Sequence, residues 1–219
     1  MFTATYNKHL EKFKDFHKNQ SAILFATGPT IKKYQPFDGS QDCIKIWINS
    51  ICVNQDLLFG LDYYFFGSGY YKEPRKSRVD NIPSDIIKFG ACYEHGSPTG
   101  RGNIHPDDCV KIGAIPFENN LTHFSNEISK YAMLGHSIVF PAIQFTLYTG
   151  VSNVYLVGCD CGYSEGPVTS GDPELLHWWS TFKEFKQKYY SDVKIISINP
   201  VSLKGYFEDI FIWIIYKKY

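Results

Sequence analysis

Apolar residues in this chain fall in short blocks, two of them interrupted by a Lys or Ser, and each block runs into a cluster of turn residues. Strands buried on both faces, as in a parallel sheet covered by helices, have this pattern. Positions 21–26 (SAILFA) lead into Thr27-Gly28-Pro29-Thr30, and positions 43–48 (CIKIWI) into Asn49-Ser50. Positions 62–66 (DYYFF) lead into Gly67-Ser68-Gly69 and positions 154–157 (VYLV) into Gly158-Cys159-Asp160-Cys161. Positions 193–198 (VKIISI) lead into Asn199-Pro200. Each block predicts a strand with its exit loop.

Between these blocks the spacing becomes helical. Leu10, Phe13 and Phe16 predict a helix over positions 6–17. Further helices are predicted over 126–134 and over 137–149, the latter apolar at Phe140, Ile143 and Leu147 and closed by Gly150. Asp172 is a fitting N-cap for a helix over 173–189. Positions 70–120 are the least regular. They hold the basic stretch KEPRKSR, the loop EHGSPTGRGNIHPDD and two strand-like stretches, 86–92 and 110–117. This segment is expected to be an insertion, a lid or an acceptor-side subdomain within one domain spanning 1–219.

Strand and helix alternating at these lengths imply right-handed βαβ units. The expected fold is α/β: a Rossmann-like, mostly parallel central sheet flanked by helices, with an irregular insertion in the middle. In such sheets ligands bind beyond the carboxyl ends of the strands, where the polar exit loops gather.

The composition narrows the chemistry. Of 219 residues, 44% are hydrophobic and 20% charged, which suits a globular chain. Lys+Arg and Asp+Glu number 22 each, so no global basic footprint for nucleic acid exists. The only arginines are Arg75, Arg78 and Arg101, so a grip on several phosphates through Arg forks is not expected. Anions would be held by backbone N–H groups, hydroxyls, Lys and His. The six cysteines form no C-x-x-C pair and no export-type leader is visible. Reduced thiols, no zinc, no transmembrane segment and a cytoplasmic location are the expectations. The apolar run 211–215 (FIWII) is expected to be an edge strand or a subunit contact in a homo-oligomer.

Six segments carry candidate chemistry, most with a structural alternative. In Thr27-Gly28-Pro29-Thr30, Gly28 would let the backbone approach a phosphate or sugar, although the loop is neither a P-loop nor G-x-G-x-x-G and would also serve as a plain βα turn. Asn49, followed by Ser50, can read a base or ribose edge or cap the next helix. Asp160 can accept from ribose hydroxyls or cap a turn, and Gly158 leaves room for a flat ring. Ser137 is an N-cap that could also touch ligand. His177 could be a general base or a structural His, Tyr163 could donate to a leaving phosphate, and His105 in His105-Pro106-Asp107-Asp108 is a further candidate base or weak metal site. No metal ligand set is assigned.

The motifs together resemble a known family. Leu24-Phe25-Ala26-Thr27-Gly28-Pro29-Thr30, then Ile48-Asn49, then Ser137 ahead of a helix ending Tyr148-Thr149-Gly150, then Val154-Tyr155-Leu156-Val157-Gly158-Cys159-Asp160 is similar to the bacterial sialyltransferases of glycosyltransferase family 42. It is also similar to the related domain-of-unknown-function 115 group, which includes motility accessory factors and archaeal 6-hydroxymethylpterin diphosphokinases. The likeness covers about positions 21–200 and is absent in the middle. It implies that Asn49 contacts a nucleotide, that Gly158 and Asp160 contact cytidine and ribose, and that Ser137 stands ahead of the long helix. Thr27 holds the place of a family Asn. Tyr163 is displaced by one from the first of two family tyrosines, and the second falls near Val168. The family arginine before the Ser is missing, with Gly135 or His136 near it, and His177 is the counterpart of the catalytic His. The resemblance implies transfer from a nucleotide sugar, such as a CMP-activated nonulosonic acid, to a glycan or small-molecule hydroxyl without a cofactor. The alternatives are pyrophosphoryl transfer from ATP to a pterin, which would need Mg²⁺, and a non-catalytic nucleotide-binding protein.

Overall fold

The computed structural model describes residues 7–49, 60–67, 76–93, 110–115, 124–133, 137–162 and 171–212. The apolar blocks become strands: β1 (Ser21–Phe25), β2 (Ile44–Ile48), β3 (Tyr63–Gly67), β4 (Ile87–Tyr93), β5 (Val110–Ile115), β6 (Ala132–Met133), β7 (Asn153–Val157), β8 (Lys194–Ile198) and β9 (Glu208–Ile210). They form one sheet in the order β6-β5-β4-β3-β2-β1-β7-β8-β9, with every pairing parallel. The helices are α1 (Lys76–Asp80), α2 (Val139–Tyr148) and α3 (Pro173–Tyr189). This is the Rossmann-like α/β arrangement the sequence predicts.

Side chains alternate between two cores, as strand geometry requires. Leu24, Ile46, Phe65, Phe89 and Leu156 face α2 and α3. Ile23, Phe25, Trp47, Tyr64 and Phe66 face the other way, toward Val79 of α1 and toward Ile31 of the short 3₁₀ helix Pro29–Lys33. The links β1→β2 and β3→β4 cross this second face. The links β6→β7 and β7→β8 run in the opposite direction across the sheet and cross the first face. That is what right-handed crossovers demand, and it places the reversal of strand order between β1 and β7.

All ten residues of α2 are buried, including two polar ones. Gln144 donates to the Phe140 carbonyl (2.8 Å) and accepts from the Ser125 N–H (2.9 Å). Thr146 Oγ1 donates to the Ala142 carbonyl (2.7 Å). Polar groups satisfied in this way let a helix enter a core without a desolvation penalty. Gly150, at φ +84°, ends α2 as expected. Asp172 accepts from the Glu174 N–H (2.9 Å) and caps α3. Among the described residues no helix is long and apolar enough to cross a membrane.

Several predicted elements differ. The helix over 6–17 is only a 3₁₀ helix, Lys8–Phe13, followed by turns. Beyond it the N–H groups of Asp15 and His17 bond to the Tyr148 and Thr149 carbonyls (3.1 and 2.8 Å), so the end of α2 takes the donors a longer helix would have used. Over 126–133, the described part of the expected helix, a turn and β6 stand instead. Ser125 Oγ captures the Glu127 N–H (3.0 Å), and Ala132 and Met133 pair with β5. Within 70–120, the strand-like stretches are β4 and β5 of the main sheet, while the loop EHGSPTGRGNIHPDD and most of KEPRKSR lie outside the described residues. Among the described residues the sheet ends at Glu208–Ile210; the expected edge strand or subunit contact at 211–215 falls mostly outside the described residues, which stop at 212.

Candidate functional site

The strand ends fix where the exit loops start. Phe25 lies level with Trp47 on one side and with Val157 on the other, so the loops after β1, β2 and β7 leave the sheet at one height. Those after β1 and β7 then clasp each other. The Ala26 N–H donates to the Val157 carbonyl (2.7 Å) and the Gly28 N–H to the Gly158 carbonyl (2.8 Å). Asp160 completes the clasp: one carboxylate oxygen accepts from the Thr30 N–H (2.7 Å), the other from Thr30 Oγ1 (2.7 Å). Asp160 is 2% exposed.

Both glycines are explained by this approach. A Cβ on Gly28 would lie 2.4 Å from the Gly158 carbonyl oxygen and 2.5 Å from Asp160 Oδ2. A Cβ on Gly158 would lie 2.5 Å from the Ala26 carbonyl oxygen, and its φ of +70° is itself left-handed. The backbone that Gly28 admits is the neighbouring loop. Likewise, both Asp160 oxygens accept from Thr30. Thr27, by contrast, is exposed at the crest of the clasp, and Pro29 opens the following 3₁₀ helix.

Asn49 sits one strand away, at the end of β2. Its φ is +48°, its Oδ1 accepts from the Gly67 N–H (3.4 Å), and its carbonyl accepts from the Tyr64 hydroxyl (2.6 Å). It thus joins the exits of β2 and β3. Ser137 lies one residue ahead of the α2 N-cap, Ile138; its Oγ accepts from the Val139 N–H (3.3 Å) and its carbonyl from the Phe140 N–H (3.2 Å). A short link connects the far end of α2 to β7, so its Ser137 end points to the carboxyl ends of the strands. α3 begins at the same rim, because the Asp172 N–H donates to the Cys161 carbonyl (2.6 Å). His177 lies in the second turn of α3, exposed, with its ring edge-on to Trp178 (5.6 Å).

The structure therefore brings Gly28, Pro29, Thr30, Gly158 and Asp160 into one clasp, with Thr27 on it and Asn49 on the adjoining strand. Among the described residues, neither Ser137 nor His177 hydrogen-bonds to the clasp. Ser50, Tyr163 and His105 lie outside the described residues, as do positions 134–136. The cysteines beside Asp160 are free thiols. Burial and the negative charge of Asp160 push the Cys161 thiol up to about 12, and burial raises Cys159 well above its ordinary value. Both are poor nucleophiles. The pairing of Thr30 with Asp160 went unread in the sequence, where its one sign was a hydroxyl and a carboxylate each two positions after a loop glycine.

No protein-family model and no curated protein matches the chain. Among solved structures it is similar to the MAf glycosyltransferase from Magnetospirillum magneticum AMB-1, with a TM-score of 0.53 and 11% identity, covering 97% of this chain and 39% of that one. The chain thus spans about two-fifths of the length of that protein. It is also similar to the sialyltransferase CstII from Campylobacter jejuni in complex with cytidine-5'-monophosphate, with a TM-score of 0.46 and 16% identity over 88% of this chain and 85% of that one. At 11% identity what is shared with the first of these is the α/β fold.

Proposed function

We propose that this chain is a glycosyltransferase-like enzyme that binds a nucleotide sugar over the exits of β1, β2 and β7 and transfers the sugar to an acceptor hydroxyl. One observation carries the reading. The strand order reverses between β1 and β7, and at that switch point two polar exit loops are fixed in place by the bidentate Asp160–Thr30 contact. Parallel α/β sheets bind nucleotides at this position. The fold shared with a glycosyltransferase supports the reaction class, and the loop motifs similar to those of the sialyltransferases favour a cytidine nucleotide with a nonulosonic acid.

In this proposal Thr27, Asn49, Ser137 and the loop backbone around Gly28, Pro29 and Gly158 contact the nucleotide. Asp160 and Thr30 are positioning residues, since both carboxylate oxygens are held by Thr30 in a buried contact. Ser50 belongs to the same rim. The acceptor hydroxyl attacks the anomeric carbon as its proton passes to His177. The bond to the nucleotide phosphate breaks, and Tyr163 offsets the charge on the departing phosphate.

The test is a thermal-shift panel with CMP, CDP, UDP, GDP and ATP, each with and without Mg²⁺. A ligand at 100 times its dissociation constant adds about 2.7 kcal/mol of stability. Stabilisation by CMP without metal is the expected result, followed by CMP release from a CMP-nonulosonic acid donor. Stabilisation by Mg·ATP alone would overturn the reading in favour of pyrophosphoryl transfer. CMP binding without donor turnover would leave a non-catalytic nucleotide-binding protein.

A further inference from the structure

Asn49 is held from the neighbouring strand, and most closely by one hydroxyl. Its carbonyl accepts from the Tyr64 hydroxyl at 2.6 Å, and its Oδ1 accepts from the Gly67 N–H at 3.4 Å. Both partners belong to β3. The shorter bond comes from a side chain that is fully buried.

The register of the sheet explains how Tyr64 reaches the rim. Tyr64 lies level with Trp47 and Phe65 with Ile48, so Asn49 stands two positions nearer the rim than the Cα of Tyr64. Two residues of parallel strand rise about 6.6 Å, close to the reach of a tyrosine side chain. Phe66, two positions on and on the same face, props the ring in that direction: the two rings are 5.6 Å apart and 18° from parallel. A phenylalanine at position 64 would fill the same apolar space. What the hydroxyl adds is the bond to Asn49.

That bond falls on a backbone that needs holding. Asn49 has a φ of +48°, in the left-handed region, where an L residue is less stable than in the extended form of the strand it ends. Rotation about φ moves the side chain and the carbonyl together. A carbonyl fixed by Tyr64 therefore fixes the direction of the amide side chain as well.

We infer that Tyr64 is a positioning residue for the nucleotide site: its hydroxyl holds Asn49 in the left-handed conformation from which the amide meets the nucleotide. The inference rests on the nucleotide-binding role proposed for Asn49. Buried as it is, Tyr64 acts through Asn49 and not by touching the ligand.

The adjacent tyrosine supplies a matched control. Tyr63 faces the other core, and its hydroxyl lies 2.6 Å from His17 Nε2, so Tyr63→Phe and Tyr64→Phe each remove a buried hydroxyl from an equally short bond. In calorimetric titrations Tyr64→Phe should raise the CMP dissociation constant about tenfold, the loss typical of one hydrogen bond. Tyr63→Phe should leave that constant within about twofold, although urea midpoints should fall alike in both variants. Once Asn49→Ala has removed the amide, adding Tyr64→Phe should weaken CMP no further. In turnover by Tyr64→Phe the KM for a CMP-nonulosonic acid should rise with the CMP constant while kcat stays within about twofold, as for a contact made equally in ground and transition states. No CMP binding by the unaltered protein would remove the nucleotide reading and this inference with it. If the unaltered protein binds CMP, three results would overturn the role of Tyr64 alone: no change in Tyr64→Phe, equal weakening in Tyr63→Phe, or an undiminished effect of Tyr64→Phe once the Asn49 side chain is gone.

Discussion

Asp160 and Thr30 are joined by two hydrogen bonds, each 2.7 Å, across 130 positions of sequence. The two bonds use different carboxylate oxygens and different donors, one of them backbone, so the pair fixes the loop after β1 as well as one side chain. Thr30→Val removes the hydroxyl donor but keeps the N–H. Asp160→Asn turns one acceptor into a donor facing a donor. Each should destabilise the fold by about 1–3 kcal/mol, the usual loss for a buried charge-assisted contact. The double variant should fall short of the sum by at least about 1 kcal/mol. A urea-denaturation cycle measures this, and strict additivity would show that the two groups are not coupled.

The loop glycines should be far less replaceable than their exposed counterparts. Gly28 has an ordinary φ of −67°, so Gly28→Ala fails purely by collision with Gly158 and Asp160. Gly158→Ala meets both the Ala26 carbonyl and a left-handed φ. Gly39, at φ +82°, has nothing within 4 Å of where an alanine methyl would sit, so Gly39→Ala carries only the backbone penalty of about 1–2 kcal/mol. Melting temperatures of the three variants should rank Gly39→Ala well above the other two. Equal losses would mean that the clasp is looser than its distances imply.

Stability should decline at alkaline pH. Burial, aided by the charges nearby, raises Tyr63, Tyr190 and Cys161 to about 12 in the folded chain. The unfolded groups ionise near 10 for Tyr and 9 for Cys, so between those values and about 12 the unfolded state sheds protons that the folded state keeps. Their contribution is complete below about pH 9 and is lost as pH rises toward about 12. Urea midpoints measured from about pH 8 to 11 should fall, and Tyr190→Phe, which removes one of the three groups, should make the fall shallower. In native protein at about pH 8, Cys159 and Cys161 should resist iodoacetamide that labels them readily after unfolding.

The sequence reveals what local pattern controls. β1, β2, β7 and β8 stand out because a strand buried on both faces is predominantly apolar, and α3 because Asp172 caps an amphipathic run. The N-terminal segment reads as a full helix because its later donors belong to the end of α2, more than a hundred positions away, and no nearby residue signals that. β4 and β5 are visible as short apolar stretches, but the loops around them hide their membership of the sheet. At the candidate site the residues at the strand ends are legible and their relation is not. Gly28 reads as room for a ligand, and only the fold shows Gly158 and Asp160 filling that room.

His177 separates the catalytic reading from the binding one. It is exposed on α3, while its neighbours Trp178 and Trp179 are 1% and 2% exposed and anchor that turn in the core. The backbone at His177 is therefore held by other side chains, and His177→Ala should change folding stability by no more than about 0.5 kcal/mol. A loss of turnover in this variant would report on chemistry and not on the fold. If the imidazole takes the acceptor proton, CMP release from a CMP-nonulosonic acid in the presence of acceptor should fall about 10²- to 10⁴-fold. CMP affinity should hold. Unchanged turnover would remove His177 from the mechanism. A loss of CMP affinity matching the loss of turnover would make it a binding residue instead.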